Sequence, residues 1–124
     1  MLLARENTDY KIRLSDHDRV NRHRPSVDEL FRSVANHAGQ NATGVLLTGM
    51  GIDGAAGMAQ IRQSGGWTIA QDEASSVVFG MPRAAIENGA AARVISLDHI
   101  PGELVNYFVT ESDVNQRRAR KESV

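Results

Sequence analysis

The sequence has 124 residues, with 14 basic and 15 acidic side chains and a formal net charge of −1. This length predicts a single domain with a modest core, and the balanced charge gives no general indication of nucleic-acid or membrane-surface binding. The absence of cysteine excludes disulfides and thiolate chemistry, and it is typical of cytoplasmic proteins. Because no apolar run approaches the roughly 20 residues that span a bilayer, we expect a cytoplasmic domain without membrane insertion.

The first 25 residues predict a β-hairpin followed by a polar loop. Residues 10–14 alternate apolar and polar side chains after a turn-like Glu-Asn-Thr-Asp segment, so residues 2–14 match a hairpin, while the apolar segment 1–3 matches equally well the end of a strand that begins earlier. Residues 15–25 include His17, His23 and several arginines, which suit either a metal or anion site or a solvated loop. We favour the solvated loop, because neither histidine has a partner at metal-ligand spacing. We therefore expect no metal ion and no cofactor.

A helix with defined ends is predicted next. Ser26 and Glu29 have the spacing of a capping box, and apolar residues then recur at helical intervals. Gly39 is the expected C-cap. His37 lies near the helix end, where a positive charge suits the helix dipole.

Strands and helices then alternate, which predicts an α/β fold. A strand at 43–48, a helix from about Asp53 to Gln63 and a strand at 67–71 form a βαβ unit, so the two strands should be parallel. The remaining predicted elements are a helix with Pro82 as its first residue and its end near Gly89, a strand at 93–96 and a helix at 101–109.

The sequence contains no internal repeat and no internal linker. We therefore predict one domain at 1–109 and a polar, disordered tail at 110–124. The predicted core consists of Leu46, Leu47, Ile69, Val77, Val78 and Ile95.

The glycine-rich turn after the strand at 43–48 is the first candidate site. Gly49 and Gly51 permit a tight turn at the carboxyl end of a strand, which is where open α/β sheets bind ligands. Residues 49–54 match G-x-G-x-x-G, and Asp72 follows about 20 positions later, as in dinucleotide-binding domains. Asp53 argues against a nucleotide, because it puts a carboxylate at the helix N-terminus that should attract the pyrophosphate.

Asp53 has two further interpretations. A carboxylate at this position can orient a catalytic histidine, while N–H groups of the turn stabilise an oxyanion. The simpler alternative is an N-cap that accepts a hydrogen bond from the N–H of Ala55 or Ala56. Spacing alone favours the cap.

Three segments resemble the CheB-type chemotaxis methylesterases: NRHRPSVD at 21–28, GVLLTGMGIDGA at 44–55 and TIAQDEASSVVFGMP at 68–82. The resemblance runs from about Met1 to Val109. It implies hydrolysis of glutamate γ-methyl esters, and deamidation of glutamine, on the cytoplasmic helices of methylated chemoreceptors. It also implies a doubly wound, mostly parallel, Rossmann-like sheet, which is incomplete here and carries an N-terminal β-hairpin.

Two residues correspond to functional positions of that family. The resemblance implies that Asp53 is the acid of a Ser-His-Asp triad and that the backbone N–H of Met50 belongs to the oxyanion hole. The family's serine motif, Gly-Ala-Ser-Thr-Gly-Gly, and its Gln-His-Met/Phe motif are absent from the 124 residues, as is a receiver domain. We therefore predict the C-terminal part of a methylesterase domain that is inactive alone.

The alternative is a non-catalytic α/β module. In that case the glycine turn at 49–54 would bind a nucleotide or a receptor segment.

Overall fold

The computed structural model describes residues 1–14 and 26–110. At the N-terminus, β1 (Leu2–Glu6) and β2 (Asp9–Arg13) form an antiparallel pair, as predicted. Asn7 in the connecting turn has a φ of 57°, a left-handed conformation that asparagine tolerates better than most residues. The loop predicted at 15–25 and the tail from residue 111 onward lie outside the described residues.

The first helix, α1, spans Val27–Ala38. The Ser26 hydroxyl accepts a hydrogen bond from the Glu29 N–H at 3.4 Å, and Gly39 ends the helix with a φ of 52°. Both predicted ends are therefore confirmed. The Glu29 carboxylate makes no return bond to Ser26 in the described part of the chain, so only half of the capping box forms.

A three-stranded sheet forms the centre of the α/β unit. Its strands are β3 (Thr43–Leu46), β4 (Trp67–Gln71) and β5 (Arg93–Ile95). They lie in the order β3-β4-β5 and are all parallel. Helix α2 (Ala55–Gln63) connects β3 to β4, which confirms the predicted βαβ unit.

The third helix, α3, spans Gly80–Glu87, so Pro82 is its third residue and the prediction that it is the first is wrong. The first bond of the helix runs from the Arg83 N–H to the Phe79 carbonyl at 3.2 Å, so the helical turn already includes Gly80 and Met81, and the Met81 N–H donates to the Gly49 carbonyl at 2.9 Å. Proline is tolerated there because the first N–H groups of a helix have no partner within it. After β5, Leu97–His99 form a 3-10 turn, and residues 100–110 are helical.

Half of the predicted core is confirmed. Leu46, Ile69 and Ile95 are buried, with at most 7% of their surface exposed. Helix α2 adds Met58 and Ile61, which are fully buried against the sheet and α1.

The other predicted core residues are wrong. Leu47, Val77 and Val78 are 43%, 92% and 41% exposed. The reason is that β3 ends at Leu46, so Leu47 already lies in the connection to α2. The two valines lie in the connection from β4 to α3, where apolar character does not indicate a buried strand.

Helices α1 and α2 approach closely at Gly57. A Cβ atom at this position would lie 2.6 Å from the Phe31 Cβ and 3.1 Å from the Asp28 carbonyl oxygen. Real Cβ contacts do not reach the first of these distances. A glycine is therefore required by the helix packing, even though it weakens the helix itself.

We predict that Gly57→Ala lowers the free energy of unfolding by about 1–3 kcal/mol, because the added methyl forces α1 and α2 apart. Gly102→Ala is the matched control, since Gly102 is also helical and nothing lies within 4 Å of the added methyl. It should stabilise the chain by about 0.5–1 kcal/mol. Urea titration followed by circular dichroism measures both, and equal effects would contradict the packing argument.

Candidate active site

The glycine-rich turn lies at the carboxyl end of β3 and leads into α2. Gly51 and Gly54 have φ values of 92° and 100°, which only glycine adopts without strain. Gly80 of α3 packs directly against the turn. A Cβ atom at Gly80 would lie 2.9 Å from the Gly51 nitrogen and 3.0 Å from the Gly49 oxygen.

Hydrogen bonds attach the start of the turn to the segment before α3. The Thr48 hydroxyl donates to the Val78 carbonyl at 2.9 Å and accepts from the Val78 N–H at 2.8 Å. The Gly49 N–H donates to the same carbonyl at 2.9 Å. The buried Gln71 side chain, at the end of β4, accepts from the Thr48 N–H at 2.8 Å. These bonds fix the backbone from which the rest of the turn extends.

Met50 lies at the tip of this fixed backbone. Its side chain is 79% exposed. Its N–H donates to no atom of the described residues, whereas the neighbouring Gly49 N–H is bonded. An N–H group held in place by bonded neighbours is the kind of donor that stabilises an oxyanion.

Asp53 lies on the opposite side of the turn and is buried, with 5% of its surface exposed. Its carboxylate contacts the N-terminus of α1. Oδ2 accepts from the Val27 N–H at 2.8 Å, and Oδ1 accepts from the Asp28 N–H at 3.0 Å and from the Ser26 hydroxyl at 3.1 Å. Hydrogen bonds from three donors and the positive end of the helix dipole all favour the ionised carboxylate.

Asp28 makes the reciprocal contact. Its Oδ1 accepts from the N–H groups of Gly54 at 3.1 Å and Gly57 at 2.8 Å, at the N-terminus of α2. Asp28 is also buried, with 4% of its surface exposed. Each helix is thus capped by the aspartate that belongs to the other.

The prediction that Asp53 caps its own helix is wrong. The carboxylate caps α1 rather than α2, and its hydrogen bonds come from Val27 and Asp28 instead of Ala55 or Ala56. Gly54, the N-cap residue of α2, has no side chain to contribute, and the carboxylate of Asp28 replaces it.

The same contacts argue against a dinucleotide. The N–H groups of Gly54 and Gly57, which would bind a pyrophosphate, already donate to a carboxylate. Asp72 makes no hydrogen bond to the turn among the described residues. Instead its Oδ1 accepts from the Ser75 hydroxyl at 2.6 Å and the Ser75 N–H at 3.0 Å, and these bonds, the hydroxyl first, lower the pKa of Asp72.

The sequence analysis missed the roles of Ser26 and Asp28. The capping-box pattern marks Ser26 as the cap of its own helix, and this is correct. Its second partner, Asp53, is 27 residues away, so no local spacing could reveal it. Asp28 lies in the first turn of α1, where acidic residues are common, so its position gives no sign of a contact with a distant helix.

Residues 1–14 and 26–110 contain neither a metal-site cluster nor a membrane-spanning helix. No cluster of His, Asp or Glu side chains there has the arrangement of a metal site. No helix in these ranges is long and apolar enough to cross a bilayer.

We predict that Asp53→Ala lowers the free energy of unfolding by about 1–3 kcal/mol, because it leaves the buried N–H groups at the start of α1 without their acceptor. The matched control is Asp98→Ala, which removes an exposed carboxylate from the first turn of the 3-10 segment and should leave the stability unchanged. Urea denaturation of the chain compares the two. Equal stability of both variants would show that the contact to α1 does not hold in solution.

Comparison with known proteins agrees with the resemblance. A family model described as CheB methylesterase matches residues 1–104. A protein-glutamate methylesterase/protein-glutamine glutaminase of Salmonella typhimurium is 58% identical over 105 residues, which are 85% of this chain and 30% of that protein. A protein of the same name from Escherichia coli O157:H7 is 57% identical over 105 residues, which again are 85% of this chain and 30% of that protein. The chain therefore spans about a third of the length of these relatives.

The fold also matches a solved structure. The crystal structure of the Thermotoga maritima CheB methylesterase catalytic domain superposes with a TM-score of 0.83 and 36% sequence identity. The match covers 86% of this chain and 56% of that domain. The predicted α/β class, with a parallel sheet and an N-terminal hairpin, is confirmed, and the chain belongs to the CheB methylesterase family.

Proposed function

We propose that this chain is the aspartate-bearing part of a protein-glutamate methylesterase domain, with Asp53 as the triad acid. The single observation that carries the proposal is the environment of Asp53. The carboxylate is buried at a helix N-terminus and accepts hydrogen bonds at 2.8–3.1 Å from Ser26, Val27 and Asp28. Such an environment keeps a carboxylate ionised and fixed in orientation, which is what a triad acid requires.

The proposed reaction is acyl transfer to a serine, followed by hydrolysis. The serine oxygen attacks the γ-carbonyl of a methylated glutamate while a histidine takes its proton. The histidine then protonates the departing methoxide, and methanol leaves. Water, activated by the same histidine, hydrolyses the acyl-enzyme to release glutamate. Asp53 holds the imidazole and stabilises the imidazolium throughout, and the Met50 N–H donates to the oxyanion.

The serine and histidine must come from outside these 124 residues, because neither family motif is present. We therefore propose that the chain alone has no esterase activity, since a triad without nucleophile and base loses most of its rate acceleration.

The proposed substrates are methylated glutamates, and glutamines for deamidation, on the cytoplasmic helices of chemoreceptors. The proposed location is the cytoplasm, where the receptor helices that carry these glutamates lie. Relatives named protein-glutamate methylesterase support the substrate class.

The first prediction concerns Asp53 in a complete domain. The matching 105 residues of the Salmonella typhimurium relative are replaced by the segment of this chain, and release of methanol from methylated receptor is measured. Asp53→Ala should lower kcat by about 10⁴-fold, as expected for loss of the acid of a triad. Asp98→Ala is the control and should retain full activity. Retention of activity by Asp53→Ala would contradict the proposal.

The second prediction separates the Met50 backbone from its side chain. In the same chimera, Met50→Pro removes the N–H and should lower kcat by about 10²–10³-fold. Met50→Ala removes most of the side chain but keeps the N–H, so it should retain activity. Thermal melting of both variants identifies any loss that comes from unfolding. Equal activities of two folded variants would exclude the Met50 N–H from the oxyanion hole.

A further inference from the structure

Asp28 and Ser26 surround Asp53 without belonging to the triad that the family resemblance implies. Asp28 forms hydrogen bonds with both Asp53 and Gly54, one through its backbone and one through its side chain. Its N–H donates to the Asp53 carboxylate at 3.0 Å, and its own carboxylate accepts from the Gly54 N–H at 3.1 Å. These two bonds close a ring that contains the Asp53–Gly54 peptide. The ring restrains the backbone of Asp53 as well as its carboxylate.

Ser26 restrains the carboxylate itself. Its hydroxyl donates to Asp53 Oδ1 at 3.1 Å and accepts from the Glu29 N–H at 3.4 Å. The hydroxyl proton is therefore directed at Asp53, because the backbone donor occupies a lone pair on the same oxygen. Ser26 is buried, with 6% of its surface exposed, so water does not compete for this bond.

Helix dipoles strengthen the arrangement. The N-termini of α1 and α2 lie side by side, and both carry partial positive charge. Asp53 compensates the end of α1, and Asp28 compensates the end of α2. Loss of either carboxylate leaves one of these ends without its anion and removes hydrogen bonds that join the two helices. The place of Asp53 is thus coupled to that of Asp28.

We infer that Ser26 and Asp28 are positioning residues for the triad acid: they set the place and direction of the Asp53 carboxylate for the histidine. The inference rests on the proposed function of Asp53. A displacement of an oriented catalytic group by about 1 Å can cost up to about 100-fold in rate. The effect should therefore appear in kcat and leave substrate binding unchanged.

Asp28→Ala and Asp28→Asn test the inference in the chimeric methylesterase. Asparagine keeps an oxygen that can accept from Gly54 and Gly57, whereas alanine has none. Asp28→Ala should lower kcat by about 10- to 100-fold with unchanged KM. Asp28→Asn should restore kcat to within a fewfold of the parent. Glu29→Ala is the matched control: it removes the neighbouring acid of the same helical turn, and its kcat should equal that of the parent.

The rates are normalised to the concentration of folded domain, determined by urea titration followed by circular dichroism, so that unfolded protein does not contribute. If Asp28→Ala is largely unfolded, Ser26→Ala and its conservative counterpart Ser26→Thr decide in the same assay. Ser26→Ala should lower kcat per folded domain, and Ser26→Thr should restore it. Unchanged kcat per folded domain in the alanine variants would overturn the inference.

A double-mutant cycle shows whether the effect acts through Asp53. In the Asp53→Ala background, Asp28→Ala should cause no further loss of kcat per folded domain. An equal loss in both backgrounds would overturn the inference.

The Asp53→Ala variant also separates this inference from the proposed function. If it is fully active, the proposed function fails. If it is inactive while the Asp28 and Ser26 variants keep the parent's kcat, the inference alone fails.

Discussion

The structure depends on an exchange of caps between two helices. Asp53 lies just before α2 but binds the N-terminus of α1, and Asp28 lies in the first turn of α1 but binds the N-terminus of α2. Two like-charged helix ends would repel each other if they met without anions. The two buried carboxylates allow the ends to meet, and they bring the 26–28 segment and the glycine turn into one unit.

The same turn is fixed on its other side by the sheet and α3. Gln71 holds the Thr48 N–H, and the Thr48 hydroxyl pairs twice with Val78. The turn is therefore held by α1 through Asp53 and by the β4–α3 connection through Thr48. Between these two anchors lies Met50, whose N–H is directed by the backbone alone. A site of this kind is preorganised by its surroundings, which is what electrostatic stabilisation of a transition state requires.

Local patterns predicted most of the fold. The βαβ unit, the hairpin and both ends of α1 follow from periodicity, caps and turn residues, which act over a few positions. The errors arose where tertiary contacts overrule local composition. Val77 and Val78 have the composition of a strand, but Val78 uses its backbone to hold Thr48, and Val77 is exposed. Pro82 predicted a helix start, but the helix begins two residues earlier, at Gly80, where Met81 bonds to Gly49 of the glycine turn.

The sequence identifies Asp53 as a candidate site residue, but it does not identify the residues that hold the Asp53 carboxylate in place. Asp53 was singled out by its place after a strand and by family resemblance, whereas its partners Ser26, Val27 and Asp28 lie 25 to 27 residues away. The most direct test is the distance from the Asp53 carboxylate to the catalytic imidazole in a crystal structure of the chimeric domain. The account predicts a hydrogen bond of about 2.6–3.2 Å to a ring nitrogen, with the contacts to α1 retained. An imidazole paired with another acid, with Asp53 bonded to α1 alone, would contradict it.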